Sequence, residues 1–209
     1  MIRQNKFFLF IILMLSSQLL SAQSFNIKEM PLSVAYYGEN AFHPGIKLGT
    51  YYTVWSVEKT RTYRSLRRKE KYGTKIKLKE LNVDFNIGGY SHPNNPSGYF
   101  VNTGLTFLRT KMRKKRQLGI SFEVGYLRRD YKFETYELDE DGTIRTIPAA
   151  GNNALSFGLA PQFGQEFSIA DHPVRFYCKP IFQLVQYGHS FQPNASLEVG
   201  TVINIHRKK

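Results

Sequence analysis

The sequence predicts an all-β protein, an antiparallel up-and-down transmembrane β-barrel of eight strands, on three observations. Large apolar residues alternate with small or polar ones in most segments after residue 45, the period of a two-faced strand. Glycines fall repeatedly on the small-residue face. After the N-terminal segment no run approaches 18 consecutive apolar residues, so any membrane insertion must use strands.

Residues 1–22 read as a secretory signal outside the fold: Arg3 and Lys6 are basic, Phe7 to Leu15 is uninterrupted hydrocarbon, and Ser21-Ala22 is a small-residue cleavage zone. An uncleaved anchor would need about 20 apolar residues, and Ser16, Ser17 and Gln18 break the run. With cleavage after Ala22, the formal charge of +13 loses Arg3 and Lys6 and becomes +11, on the single barrel domain 23–209. Cys178 is the one cysteine, so no intramolecular disulfide forms, and its place between Phe176 and Phe182 reads as a small buried hydrophobe.

Pro31 to Gly38 is a short first strand, with Leu32, Val34 and Tyr36 against Ser33 and Ala35. His43-Pro44-Gly45 signals a turn, and Ile46 to Val57 alternates as Ile46, Leu48, Tyr52 and Val54 against Lys47, Gly49, Tyr51 and Thr53. From Glu58 to Lys79 the bases Lys59, Arg61, Arg64, Arg67, Arg68, Lys69, Lys71, Lys75, Lys77 and Lys79 meet only Glu58 and Glu70. An Arg or Lys facing lipid at mid-bilayer costs roughly 2–4 kcal/mol, so this stretch is an extramembrane hairpin. Its side depends on the strand count: eight strands from a periplasmic start put it in the periplasm, and omitting the first reverses it.

Leu81, Val83, Phe85 and Ile87 resume the pattern, and Ser91 to Gly98 reverses the chain. Tyr99, Val101, Leu105 and Phe107 form the next strand, and the basic turn Lys111 to Arg116 leads into LGISFEVGYLRR, Leu118 to Arg129, the clearest two-faced stretch. That strand is expected to continue through Tyr131, Phe133 and Tyr136, with Leu138 to Asn153 a long loop. Three strands follow, carrying Leu155 to Phe163, Val174 to Leu184 and Leu197 to Ile205, separated by turns at Ala170 to Pro173 and His189 to Asn194.

Alternation alone suits a soluble lipocalin-like carrier equally well, with the apolar face turned inward. The glycines favour the other arrangement. Gly49, Gly88, Gly104, Gly119, Gly125, Gly158, Gly164 and Gly200 share the polar face; glycine weakens a solvated strand, whereas in a narrow lumen it makes room. The same face carries an interior charge network of Glu80, Asp84, Glu123, Glu166 and Glu198 with Lys47, Arg175 and Lys179. Buried charges are tolerated when paired, and eight strands enclose a space that side chains fill. The expectation is a plug, with no porin-like flow.

With its signal peptide, short alternating strands, and Tyr99, Tyr126 and Tyr187 near strand ends, the chain resembles the small outer-membrane β-barrel proteins of Gram-negative bacteria, of OmpA or OmpX size. The likeness spans Pro31 to His206 and implies insertion in the outer membrane. It departs at Ile205-His206-Arg207-Lys208-Lys209, where such proteins usually end on an aromatic residue. Some relatives of that size are acyl hydrolases or acyltransferases acting on lipid A, but the His-x-Ser spacing of such a hydrolase is missing. His189-Ser190 are adjacent, His43, His92 and His172 precede prolines, and His206 is near the end. No catalytic residue, cofactor or metal set is read, so a structural or binding role is expected over an enzyme. Outer-membrane lipid is the implied partner. The charge of the basic hairpin reads first as a solvated loop that keeps lipid out and fixes topology, and second as a contact surface for lipopolysaccharide phosphates or an acidic partner through Arg61, Arg64, Arg67, Arg68, Lys69 and Lys71; nucleic acid is not expected for an exported barrel.

Overall fold

A computed structural model describes residues 30–39, 43–64, 72–92, 97–131, 135–138, 142–147, 150–169, 172–187 and 190–203. Residues 1–22, read from the sequence as an export signal, the residues Arg67, Arg68, Lys69 and Lys71, Phe133, and His189 and His206 lie outside these residues. Among the described residues ten strands run in chain order: β1 Leu32–Glu39, β2 His43–Arg64, β3 Tyr72–Tyr90, β4 Ser97–Lys111, β5 Arg116–Asp130, β6 Thr135–Leu138, β7 Ile144–Ile147, β8 Gly151–Ile169, β9 His172–Tyr187 and β10 Ser190–Ile203. Eight close into an antiparallel barrel, β1-β2-β3-β4-β5-β8-β9-β10, with β10 paired back onto β1, and β6 and β7 form a separate two-stranded sheet.

Register sets the barrel's shape. Stepping between paired residues from Leu118 through Phe163, Cys178, Val199, Tyr36, Ile46, Gly89 and Tyr99 returns to β5 at Arg128, ten residues beyond the start. A ten-residue stagger over eight strands, at about 3.3 Å per residue and about 4.8 Å between strands, tilts the strands about 40° from the barrel axis.

The outward face of β5 reads Arg116, Leu118, Ile120, Phe122, Val124, Tyr126 and Arg128. Leu118, Ile120, Phe122 and Tyr126 are each about half exposed (49–50%), while Ser121 and Glu123 between them are only 0% and 2% exposed. At that tilt the two arginines stand about 30 Å apart along the axis, the thickness of a hydrocarbon layer. Phe85, Ile87, Val101, Leu105, Leu159, Phe182 and Val199 continue the exposed apolar belt around the barrel. Most large hydrocarbon side chains therefore face outward, while the charged and most small residues face the lumen together with an apolar group that includes Leu108, Ile181 and Val185.

Several elements differ from the sequence reading. Leu138 to Asn153 is not one loop, and β5 does not run on to Tyr136: it ends at Asp130, and Thr135–Leu138 pairs with Ile144–Ile147 as a small hairpin. His43-Pro44-Gly45 is not a turn but the start of β2, and Gly45 is needed there because a Cβ would collide with the Gly89 carbonyl. His189 to Asn194 is largely strand, with Phe191 to Asn194 paired to β9. Alternation in β2 breaks at a bulge between Thr53 and Trp55, so Trp55 and Val57 take the outward positions that unbroken alternation would give their neighbours. Cys178 is half-buried on the outer face, not a core residue. The β8–β9 ladder is interrupted between Leu159↔Phe182 and Phe163↔Cys178, where Pro161 and Pro180, both lacking N–H groups, stand opposite each other.

β1 and β10 put Leu32 and Ile203, both described chain ends, at one end of the barrel. The β2–β3 hairpin, the β4–β5 connection and the β8–β9 turn open at that same end, which we call the basic end. β4 and β5 join there through a single 3-10 turn, Met112–Lys114, with Lys115 in the left-handed region at φ 50°.

Candidate functional site

The lumen is closed at two levels. In the middle, β2, β5, β9 and β10 each send in one charged residue. The Lys47 ammonium lies 2.7 Å from Glu198 and 3.7 Å from Glu123, and Lys179 pairs with Glu123 as well. Asn102 donates to the second Glu123 oxygen at 3.0 Å, and the Tyr177 hydroxyl donates to Glu198 at 2.6 Å. Small neighbours make this possible: Ala35 on β1 separates Lys47 from Gly200 in the ladder, and a Cβ at Gly200 would sit 2.6 Å from that of Ala35. Asp84 bonds the Thr106 hydroxyl, which shares a 2.7 Å bond with Ser121.

Toward the other end the closure is apolar, built from Tyr37, Tyr90, Phe100, Leu127, Ile181 and Val185. The Tyr37 and Phe100 rings lie 4.6 Å apart. A polar cap covers them: Arg129 reaches Glu39 at 2.5 Å and the Tyr90 hydroxyl at 2.9 Å, and Asn194 donates to Glu39 at 2.9 Å. His43 lies 3.6 Å from the same carboxylate, and its ring packs 3.7 Å from that of His92.

Of the eight charged residues read as an interior network, Lys47, Glu123, Lys179 and Glu198 meet directly, and Asp84 lies beside them. Glu80 and Arg175 face inward nearer the basic end, where neither makes an ion pair among the described residues; Arg175 lies 5.5 Å from the centre of the Tyr51 ring instead. Glu166 pairs with Lys115 at 3.5 Å at the barrel's edge, apart from the network. Glu39, Arg129, Tyr177 and Asn102 were missed. All four alternate onto the polar face, but only the closed ring shows whom they meet.

The basic residues form a girdle on the outer face. Lys59, Lys77, Lys111 and Arg116 stand in one directly paired row across β2, β3, β4 and β5; Lys79 faces Arg109, and Arg61 faces Lys75. All continue the outward face that carries Val57, Leu81, Phe107 and Leu118, just past the apolar belt. The Lys77 ammonium is held below the ordinary lysine value, chiefly by Arg109. Of the residues read as contacts to an anionic surface, Arg61 and the backbone of Arg64 fall within the described strand, and Arg67, Arg68, Lys69 and Lys71 lie outside it. On β8 and β9, by contrast, Phe167, Ile169 and Phe176 carry apolar surface to the barrel's edge, so the girdle is one-sided.

These features define a closed eight-stranded antiparallel barrel with a sealed lumen and an apolar outer belt. No protein-family model and no curated protein sequence matches the chain. Among solved structures the chain is similar to the N-terminal β-barrel domain of Pseudomonas aeruginosa OprF, at 9% identity and a TM-score of 0.39, over 82% of this chain and 96% of that one. It is also similar to the β-domain of the Bordetella autotransporter BrkA, at 9% identity and a TM-score of 0.23, over 83% and 98%.

Proposed function

We propose that the protein is an integral outer-membrane β-barrel with a sealed, salt-bridged lumen, serving a structural or binding role and carrying out no catalysis, with its basic end held against the phosphates of membrane lipids. The observation that carries this reading is the polarity of the wall. A belt of half-exposed Leu, Ile, Phe and Tyr surrounds a lumen in which Lys47, Glu123, Lys179 and Glu198 neutralise one another. A soluble carrier would line a ligand-sized cavity with its hydrocarbon; here Leu, Ile and Phe stand out on the wall, and the lumen is crossed by the Lys47–Glu198 and Lys179–Glu123 pairs with a space of only about 40 Å³ beside them. The export signal read at residues 1–22 agrees with that location.

The test is heat-modifiable migration. Extracted in detergent and loaded unboiled, the barrel should migrate differently from the boiled chain. Identical migration, together with solubility without detergent, would reject the membrane reading.

A further inference from the structure

Where the girdle meets the belt, the outer wall is concave. A groove of about 680 Å³ runs across β4, β5, β8 and β9, with Arg109, Lys111 and Arg116 at its mouth and Leu118, Phe163 and Phe176 along its wall. That volume lies within the roughly 300–1,000 Å³ of pockets that hold small ligands. Register accounts for its amphipathic lining. Lys111 is paired directly with Arg116 and Arg109 with Leu118, while Leu118 faces Phe163 and Arg116 faces Gln165. Among the described residues, none of the three cations has an acidic partner; the nearby Glu166 is paired with Lys115. Like charges directly opposite on neighbouring strands destabilise a sheet, and an anion bound between them would remove the repulsion.

We propose that this groove holds one anionic glycerophospholipid, its phosphate among Arg109, Lys111 and Arg116 and an acyl chain along Leu118, Phe163 and Phe176. Charge complementarity selects the head and continuity with the apolar belt selects the chain. The choice of glycerophospholipid over lipopolysaccharide comes from topology: eight strands put both ends of the sheet on one side, the groove opens there, and the single-turn β4–β5 connection beside it is of the short kind found at the periplasm, where the leaflet is glycerophospholipid. The inference rests on the membrane reading above, and its test separates the two.

Native mass spectrometry of the full-length mature barrel, exchanged into mixed micelles with phosphatidylglycerol, phosphatidylethanolamine or lipopolysaccharide, reads the bound lipid directly. One phosphatidylglycerol should be retained in preference to the other two. Retention should fall on the order of a hundredfold in the triple variant Arg109→Gln, Lys111→Gln, Arg116→Gln, since each cation beside an anionic lipid contributes a factor of roughly five. Arg128→Gln with Arg145→Gln, which lowers charge at the opposite end of the barrel, should retain the lipid. Equal retention of phosphatidylglycerol and phosphatidylethanolamine, preference for lipopolysaccharide, or equal losses in the two variants would overturn the proposal. Heat-modifiable migration of each variant, run alongside, reports the barrel itself, so failure of the membrane reading shows there independently of lipid retention.

Discussion

The ammonium of Lys47 on β2 reaches over β1 to lie 2.7 Å from the carboxylate of Glu198 on β10, both side chains 2–3% exposed. This contact joins the strands on either side of β1, the shortest strand of the barrel. It therefore helps to hold the ring closed where the ladder is shortest.

Replacing Lys47 by Met leaves Glu198 and Glu123 buried with Lys179 as the remaining cation nearby. Removing one member of a buried pair typically costs about 3–5 kcal/mol. Lys47→Met should lower the urea midpoint for unfolding from detergent or bilayers by a corresponding amount, while an exposed change such as Arg61→Gln leaves it within about 0.5 kcal/mol. A midpoint equal to that of the parent chain would mean the pair contributes nothing to closure.

Phe122 and Glu123 are neighbours on opposite faces of β5, and the two faces predict different failures. Phe122→Arg puts a cation in the middle of the apolar belt and should cost about 2–4 kcal/mol in a lipid bilayer. Glu123→Arg puts a third cation beside Lys47 and Lys179 and should prevent stable folding in bilayers and in detergent alike. Reversed sensitivity, with Glu123→Arg mild, would mean that the faces are inverted.

Gly98 on β4 leaves no room for a side chain, because a Cβ would run into the Tyr90 ring, whose hydroxyl accepts from Arg129. Gly98→Ala should cost about 1–3 kcal/mol, the range for an overpacked core, measured by equilibrium unfolding. Gly158→Ala is the contrasting case: its nearest neighbour would be Ile181 at 3.4 Å, an ordinary contact. It should be close to neutral. Equal effects would remove the steric account of the inward glycines.

Lys77 stands directly between Lys59 and Lys111, and its proton is more easily lost in the folded barrel than in the unfolded chain. A lysine whose folded value is lowered makes stability rise with pH as that proton is lost, up to the ordinary value near about 10.4. Lys77→Gln should therefore raise the unfolding midpoint in neutral detergent at pH 7, and its advantage over the parent chain should shrink as pH approaches about 10. An advantage that grows with pH would contradict the like-charge row.

Much of the architecture was legible in the sequence, for a physical reason. Successive side chains in a strand point to opposite faces, so the order Leu118, Ile120, Phe122 against Gly119, Ser121, Glu123 is enough to say that one face is hydrocarbon and the other is small or charged. The crowd of bases from Lys59 to Lys79 likewise had to lie off the apolar belt. The inward glycines and the lysine and glutamate residues of the lumen belong to the same reading. Partnership was beyond the chain order, because alternation assigns a face but leaves the register open. Lys47 and Glu198 are 151 residues apart, and only the ten-residue stagger of the closed ring sets them side by side. The same closure carries Glu39 to Arg129, stacks Lys59, Lys77, Lys111 and Arg116 in one row, and leaves Glu166 at the edge. Local exceptions also needed the tertiary fold: the bulge at Thr53 to Trp55 reverses the facing of the later β2 residues, and Gly45, a turn signal by composition, serves as a point of close approach to Gly89. A strand's two faces are a local property of its own bonds, whereas its neighbours, its tilt and the meeting of its charges are properties of the ring.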